Sequence, residues 1–436
     1  MAFSLKGIKV PHRKNTAGIP AERMVIDNTV TLSTAMHIGR PSIPVVKAGD
    51  QVYVGTLVAK EAEGLSSPVY SSVSGKVVGI SEVLTSSGSK VPAVLIDSDG
   101  EMTIDENVQP PVIDSKESLI GAIKASGVVG LGGAGFPTYA KFTTDKKIEY
   151  LVVNGAECEP YITSDTYTML ERADEIAFAI DVLVKYLNIE KVVIGVEKNK
   201  PDAIKKMEEL AAKGSKISVC ALPSRYPQGG EKVLVYSTTG RKIGVGKLPI
   251  DVGCVVANCT TLATLGNFFK TGMPLVEKCI TVDGSAIKSP KNVIVPIGVS
   301  VGDVIEFCGG FSSNPGKVLY GGPMMGISIP DLNQPVLKQT NALIALNEKD
   351  AEPRKETACI QCGTCLMNCP MGISATEVIR AYNKGEYDRL EKLGSNLCME
   401  CGSCAYNCPA NRPLVQINKL SKGFLKEEKM KEANKS

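Results

Sequence analysis

Eight cysteines fall in two matching frames near the C-terminal end of the chain. The first is Cys359-Ile-Gln-Cys362-Gly-Thr-Cys365-Leu-Met-Asn-Cys369-Pro370. The second is Cys398-Met-Glu-Cys401-Gly-Ser-Cys404-Ala-Tyr-Asn-Cys408-Pro409. Both read C-x2-C-x2-C-x3-C-P. A cubane needs four thiolates on alternate corners of one small cage. Two-residue gaps let a tight loop wrap three corners, and the fourth cysteine reaches across to the neighbouring cage. Cys359, Cys362, Cys365 and Cys408 are therefore expected to hold one [4Fe–4S] cluster. Cys398, Cys401, Cys404 and Cys369 are expected to hold the other. Zinc ribbons use C-x2-C pairs rather than triplets closed by x3-C-P. Disulfides need an oxidising compartment, and the opening Met1-Ala-Phe-Ser-Leu-Lys6 lacks the apolar core of an export signal. Two adjacent cubanes make a one-electron wire, which something must feed and something must drain.

A second group of candidates lies in the middle of the chain. Gly130-Leu-Gly132-Gly133-Ala-Gly135-Phe136-Pro137-Thr138 contains G-x-G-x-x-G. The dinucleotide fingerprint must follow a strand and open a helix. Here a helix precedes the loop and a proline follows, so the usual Rossmann turn is not expected. The bare backbone still suits close approach to a planar ring or a phosphate, with Lys141 as a nearby cation. Three further loops fall at or near the ends of expected strands: Asn154-Gly-Ala-Glu157-Cys-Glu159-Pro160, Glu197-Lys-Asn199, and Ser224-Arg-Tyr226-Pro-Gln-Gly229-Gly230-Glu231. Taken singly each reads as a solvated turn. Together at one rim they suggest a nucleotide pocket.

The elements that must position these residues follow from pattern. With 436 residues the chain has room for about three domains. A net charge of +3 without a basic aromatic platform argues against nucleic acid as a partner. No apolar run is long enough to span a bilayer, so membrane association is expected to go through a partner subunit. Six further cysteines are scattered singly and read as buried, reduced side chains. Only His12 and His37 occur, neither beside another ligand type.

In order, residues 1 to about 25 read as an irregular lead-in, and 26–100 as short strands with turn signals. Val46-Lys-Ala-Gly-Asp-Gln-Val52 with Val73-Ser-Gly-Lys-Val77 is similar to barrel-sandwich carrier domains, though no modifiable lysine tip is present. A Pro-rich linker over 101–114 leads to a helix ending at Gly127. Strand–helix alternation from Tyr150 to Leu222, with one long helix over 165–187, implies a parallel sheet. A helix reaching Lys270 follows. Residues 275–330 read as β, including Val301–Phe307 and a bend at Gly321-Gly-Pro-Met-Met-Gly326, and 330–356 as a connector. Ser374-Ala-Thr-Glu377 reads as a capping box, and 419–436 as a frayed, solvated helix. The expected fold class is multidomain α/β plus β. A barrel-sandwich domain spans 1–110, a Rossmann-like flavin/NAD domain 111–272, a β-grasp-like domain 273–335 and an α-helical dicluster ferredoxin domain 350–420. A charged tail covers 421–436.

The glycine loop Gly130–Thr138 with Lys141, Asn154–Pro160, Tyr226–Glu231 and Val255–Thr261 resembles the flavin-binding constellation of the flavoprotein subunit of respiratory complex I. With the barrel-sandwich front, the β-grasp-like unit and the double-cubane tail, the whole chain resembles the C-subunit family of the Rnf ion-translocating ferredoxin:NAD oxidoreductases. The resemblance implies FMN and NAD(H) in the central domain. It puts Gly130, Gly132, Gly133 and Lys141, with Gly135 of the same loop, at the FMN phosphate and ribityl chain. It puts Asn154, Glu157, Tyr226, Gly229, Gly230, Glu231 and Asn258 around the ring, and Glu159 and Glu231 toward the nicotinamide. The chain departs from the complex I pattern at Ala156, an Asp there, and at Ala257, where that pattern has a second Asn before Asn258.

NADH surrenders two electrons as a hydride, whereas a cubane accepts one; a flavin handles both. The expected function is a peripheral subunit on the cytoplasmic face of a membrane redox pump, joined to an iron–sulfur partner subunit. The alternatives are a soluble or microcompartment reductase of the cobalamin-reductase kind, and a relay module that is not an enzyme.

Overall fold

The computed structural model describes residues 6–85, 88–214 and 216–433. The chain builds four sheets and a helical C-terminal unit. Strand β1 (Glu22–Arg23) comes first. Strands β2 (Thr29–Ser33), β3 (Ile43–Pro44), β4 (Gln51–Val52), β5 (Leu57–Lys60), β6 (Val69–Tyr70), β7 (Gly75–Leu84) and β8 (Lys90–Ser98) then form two small antiparallel sheets. Their inward alternation, Val30 and Leu32 against Val94 and Ile96, buries one face.

Helix α1 (Lys116–Ala125) is capped reciprocally. The Ser115 hydroxyl accepts from the Ser118 N–H, and the Ser118 hydroxyl accepts from the Ser115 N–H. Short α2 (Thr138–Phe142) follows the glycine loop. The central sheet is parallel, in the order β11-β10-β9-β12, from β9 (Tyr150–Gly155), β10 (Lys191–Glu197), β11 (Ile217–Leu222) and β12 (Cys254–Asn258). Within β10 every residue from Val192 to Glu197 is buried, as a strand covered on both faces requires. The chain moves outward from β9 to β11 and then returns to the far side of β9 as β12. The order therefore reverses between β9 and β12, where the carboxyl ends open a crevice.

The expected single helix over 165–187 is two: α3 (Ser164–Glu171) and α4 (Ala173–Leu187), broken at Arg172. Helices α5 (Pro201–Ala211), α6 (Glu231–Thr239) and α7 (Cys259–Thr271) complete the layers.

The next sheet is mixed, in the order β1-β14-β13-β17-β15-β16. It uses β13 (Glu277–Asp283), β14 (Lys291–Pro296), β15 (Pro315–Tyr320), β16 (Ile327–Ser328) and β17 (Ala342–Asn347). Three expectations fail here. The lead-in is not wholly irregular, because β1 pairs with β14. Val301–Phe307 is helix α8, not strand, because Ser300 caps it by accepting from the Asp303 N–H. The 330–356 connector contains β17, a buried strand parallel to β13.

One large apolar core runs through these sheets, from Leu32 through Leu151 to Val293, with smaller clusters around Val152 and around Ile344. The C-terminal helices have smaller clusters of their own. Here α9 (Glu348–Ala351), α10 (Thr364–Met367), α11 (Ala375–Asn383), α12 (Tyr387–Lys392), α13 (Ser403–Tyr406) and α14 (Leu414–Ala433) follow one another. Ser374 precedes α11 without capping it. Glu377 turns instead to Arg380 and Arg389. The tail is a helix solvated only in its last turns: α14 begins at Leu414 and lays buried Leu414, Ser421 and Leu425 against the unit, with Phe424 edge-on to Tyr382 and Tyr387, while Lys426, Glu427 and Lys429 to Glu432 stay exposed. No described helix is long and apolar enough to cross a membrane.

Candidate functional site

Each cysteine frame folds as a loop that turns twice through left-handed backbone. The positions are Gln361 and Gly363 in the first frame and Glu400 and Gly402 in the second. These turns aim backbone N–H groups at sulfur: Gln361 N–H at Cys359 Sγ and Glu400 N–H at Cys398 Sγ, both at 3.4 Å. One cavity is lined by Cys359, Cys362, Cys365 and Cys408, and a second by Cys369, Cys398, Cys401 and Cys404. In each, three thiols come from one frame and the fourth from the other. Among the described residues no three thiol or carboxylate groups converge tightly enough for a single metal ion. The thiols surround space, which suits a cage better than a lone zinc. Cys359 and Cys362 are exposed, whereas Cys401 is buried.

The second group of candidates meets at the crevice between β9 and β12. Asn154 and Asn258 are register partners at the ends of those strands. Asn154 donates to the Gly229 carbonyl at 3.0 Å and accepts from the Ala156 N–H. Asn258 caps α7 by accepting from the Thr260 and Thr261 N–H groups and donates to Asp165 at 2.7 Å. The glycine loop is pinned above them. Leu131 N–H donates to Thr261, and the buried Lys278 ammonium donates to the Leu131 carbonyl. Gly132, Gly133 and Ala134 stay exposed. A Cβ at Gly132 would lie 2.5 Å from the Asn258 amide nitrogen, and one at Gly229 would lie 2.5 Å from the Ala156 carbonyl oxygen. Lys141 donates to the Val256 carbonyl at 2.9 Å and stands 3.8 Å from Glu231. Burial lowers its pKa, and Glu231 opposes that shift.

Gly135 does not join this group. It faces His37 and Gln339. Glu157 is buried beneath the rim, accepting from the Asp165 N–H and the Thr166 hydroxyl at the start of α3. Burial pushes its pKa up to about 7, against the pull of Lys14. Glu159 accepts from the Met324 and Met325 N–H groups at 3.0 and 2.9 Å, and its pKa is also pushed up to about 7 by burial.

The two groups of candidates touch. The Tyr226 hydroxyl donates to the Cys401 carbonyl at 2.8 Å. A Cβ at Gly230 would run into the Met399 methyl, and one at Gly402 would lie 3.0 Å from the Met324 carbonyl. The second cysteine loop is thus held between the crevice rim and the 321–326 turn.

Sequence reasoning missed three participants: Asp165, Lys14 and the Gly321–Gly326 turn. Asp165 and Lys14 belong to no motif. The turn was visible as a glycine-rich bend, but its partner Glu159 lies far away in sequence.

A parallel sheet with a glycine-lined crevice, its rim against one of two four-thiol cavities, defines a modular iron–sulfur flavoprotein. Family models match along the chain: an RnfC barrel sandwich hybrid domain over residues 3–101, a Nuo51 FMN-binding domain over 123–267, an SLBB domain over 279–328 and a 4Fe-4S dicluster domain over 358–412. The C subunit of the proton-translocating ferredoxin:NAD(+) oxidoreductase complex of Clostridium ljungdahlii is 41% identical over 368 residues, 83% of this chain and 80% of its own. The C subunit of the Na(+)-translocating complex of Acetobacterium woodii is 39% identical over 392 residues, 88% of each chain. That of the ion-translocating oxidoreductase complex of Rhodobacter capsulatus is 38% identical over 435 residues, 98% of this chain and 84% of its own. The chain belongs to this family of C subunits of ion-translocating oxidoreductase complexes.

The residues present fit the groups these domains bind. Four thiols ring each cavity. The exposed, side-chain-free stretch at Gly132–Gly133, on the same rim as the Lys141 cation, suits a phosphate-bearing ligand.

Proposed function

We propose that the chain exchanges hydride between NAD(H) and FMN and passes single electrons through two [4Fe–4S] clusters to or from an iron–sulfur partner subunit. It does so as a peripheral subunit, on the cytoplasmic face, of a membrane-bound ion-translocating ferredoxin:NAD oxidoreductase. The observation that carries this reading is the contact of Gly230 and Tyr226 with the loop Cys398–Cys401. It brings the candidate flavin rim directly against one thiol set, while the exposed Cys359 and Cys362 open the other to a partner. The flavin, when bound, supplies the conversion between hydride and single electrons.

In this reading the chain's own residues bind, orient and exclude water. Gly130, Gly132, Gly133 and Lys141 take the phosphate end. Asn154, Gly229, Gly230, Glu231 and Asn258 border the ring. The two asparagine amides are already fixed by hydrogen bonds, which favours pre-organisation. Glu157 and Glu159 act from behind the rim, through the backbone groups they hold. The central unit is read as Rossmann-like over 111–272. The third is read as β-grasp-like: a hairpin, a helix and a return strand parallel to the first support this, and β17 extends it beyond residue 335. The last is read as an α-helical dicluster unit.

Anaerobically purified protein reconstituted with iron, sulfide and FMN tests this. About eight irons per chain, one flavin, and bleaching of both chromophores by NADH are expected. A chain that refuses FMN, or holds zinc in place of iron, would overturn the reading.

A further inference from the structure

Residues 7–16, part of the stretch expected to be an irregular lead-in, run along the rim of the candidate site. Ile8 and Tyr226 exchange both backbone hydrogen bonds, at 2.8 and 2.9 Å. His12 offers its carbonyl to the Tyr161 N–H at 2.9 Å. Thr16 meets Thr163, and Asn15 donates to Asp283 at 3.0 Å. The Lys14 ammonium donates to three carbonyls of one loop: Glu157 at 3.0 Å, Glu159 at 2.8 Å, and Ile162. Buried Lys200 also donates to the Glu157 carbonyl, at 3.2 Å.

That loop is the link between crevice and cluster. Cys158 Sγ accepts from the Gly229 N–H at 3.4 Å. Glu159 holds the Met324 and Met325 N–H groups. Ile8, Val10, Tyr226 and Cys401 form one buried apolar cluster, with Cys158 and Met324 packed against it. A strap residue, a crevice residue, a cluster thiol and the 321–326 turn thus share one small core.

Buried carbonyls facing inward need donors, because an unmet acceptor away from water is costly. An ammonium has three donors and no acceptor, so one lysine can satisfy three converging carbonyls. Among the described residues, no backbone N–H donates to any of these three oxygens.

We propose that residues 7–16 are a strap that holds the Glu157–Ile162 loop against the second cysteine loop, and that Lys14 is the positioning residue that locks it. The inference rests on the reading of the crevice as a flavin site only for its functional consequence. The mechanical part stands without cofactor.

The test uses the full chain with both clusters loaded. In the absence of FMN, hydrogen exchange is compared between wild type and Lys14→Met. Peptides carrying Gly229 and Met324–Met325 are expected to exchange about tenfold faster in the variant. Lys14→Arg, whose guanidinium can also reach several carbonyls, is expected to restore most of the protection. With FMN and then NADH added, the hydride that NADH gives up as it becomes NAD(+) brings two electrons, one for each cubane, and leaves its proton to solvent. Lys14→Met is expected to slow the cluster-bleaching phase more than the flavin-bleaching phase.

Should Lys14→Met not fold, Gly7→Ala decides. Its Cβ would lie 2.8 Å from the Tyr226 carbonyl oxygen, lifting the strap while leaving Lys14 intact. Unchanged exchange at Gly229 and Met324–Met325 in whichever variant folds overturns the strap. A wild type that binds no FMN while the exchange difference persists overturns the flavin reading and leaves the strap standing.

Discussion

The Tyr226 hydroxyl donates to the carbonyl oxygen of Cys401 at 2.8 Å. One residue belongs to the rim of a nucleotide crevice, and the other to a loop of cluster thiols. Tyr226 is 1% exposed, so water cannot replace the bond if it is cut. Tyr226→Phe keeps the ring and strands the carbonyl. We expect about 1–3 kcal/mol of lost stability, read by denaturant unfolding, together with an altered electron paramagnetic resonance spectrum for only one of the two clusters.

The two adjacent glycines of the rim should respond differently. A Cβ at Gly229 meets the Ala156 backbone oxygen, which cannot yield; one at Gly230 meets the far end of Met399, which can. Gly229→Ala should therefore weaken FMN retention, measured by flavin content after gel filtration, well beyond Gly230→Ala. Adding Met399→Ala to Gly230→Ala should return it to wild type.

The crossing of cysteines makes a sharp forecast. Cys408→Ser removes a thiol from the cavity built on Cys359, Cys362 and Cys365. Iron should fall from about eight to about four per chain, and the remaining signal should be that of the Cys398 set. Cys369→Ser should spare the opposite set. Loss of the signal from the substituted cysteine's own frame would refute the crossed assignment.

Stability should carry a pH signature from Glu159. Burial raises its folded-state pKa to about 7 from an ordinary 4.5. The folded chain therefore binds this proton more tightly than the unfolded chain. The stabilisation is complete below about pH 4.5 and is lost as pH rises through about 7. Glu159→Gln cannot ionise, so its melting temperature relative to wild type should climb across that window, by at most about 1.4 kcal/mol per pH unit of equivalent stability. A gap between the two proteins that stays constant from pH 4.5 to 7.5 would exclude this.

What could be read from sequence was whatever local spacing determines. Two-residue gaps between Cys359, Cys362 and Cys365 leave a chain few ways to turn, so the loops and the crossed fourth thiol were visible. The strand–helix alternation from Tyr150 to Leu222 announced the parallel sheet, again from local pattern. The failures are contacts between distant residues. Lys14 looked like one more polar residue in a lead-in, because nothing near it reveals three carbonyls more than 140 positions away. Val301–Phe307 carries strand-like residues, but the Ser300 cap and tertiary packing made a helix. The break at Arg172 interrupts an apolar period that runs straight through it. The tail from residue 419 looked solvated because its lysines outnumber its buried anchors, and those anchors begin earlier, at Leu414.

The fourth thiol of each cavity comes from the other half of the C-terminal unit. A nascent chain that has emerged only as far as Leu397 offers three thiols to one cavity and a single one to the other. The Cys398 set is whole once Cys404 has left the ribosome, and the Cys359 set only once Cys408 has. Metal loading must then be a late event in biogenesis, and helices α11 and α12 become a segment cinched at both ends by inorganic knots, each closed by a strand of chain from the far side.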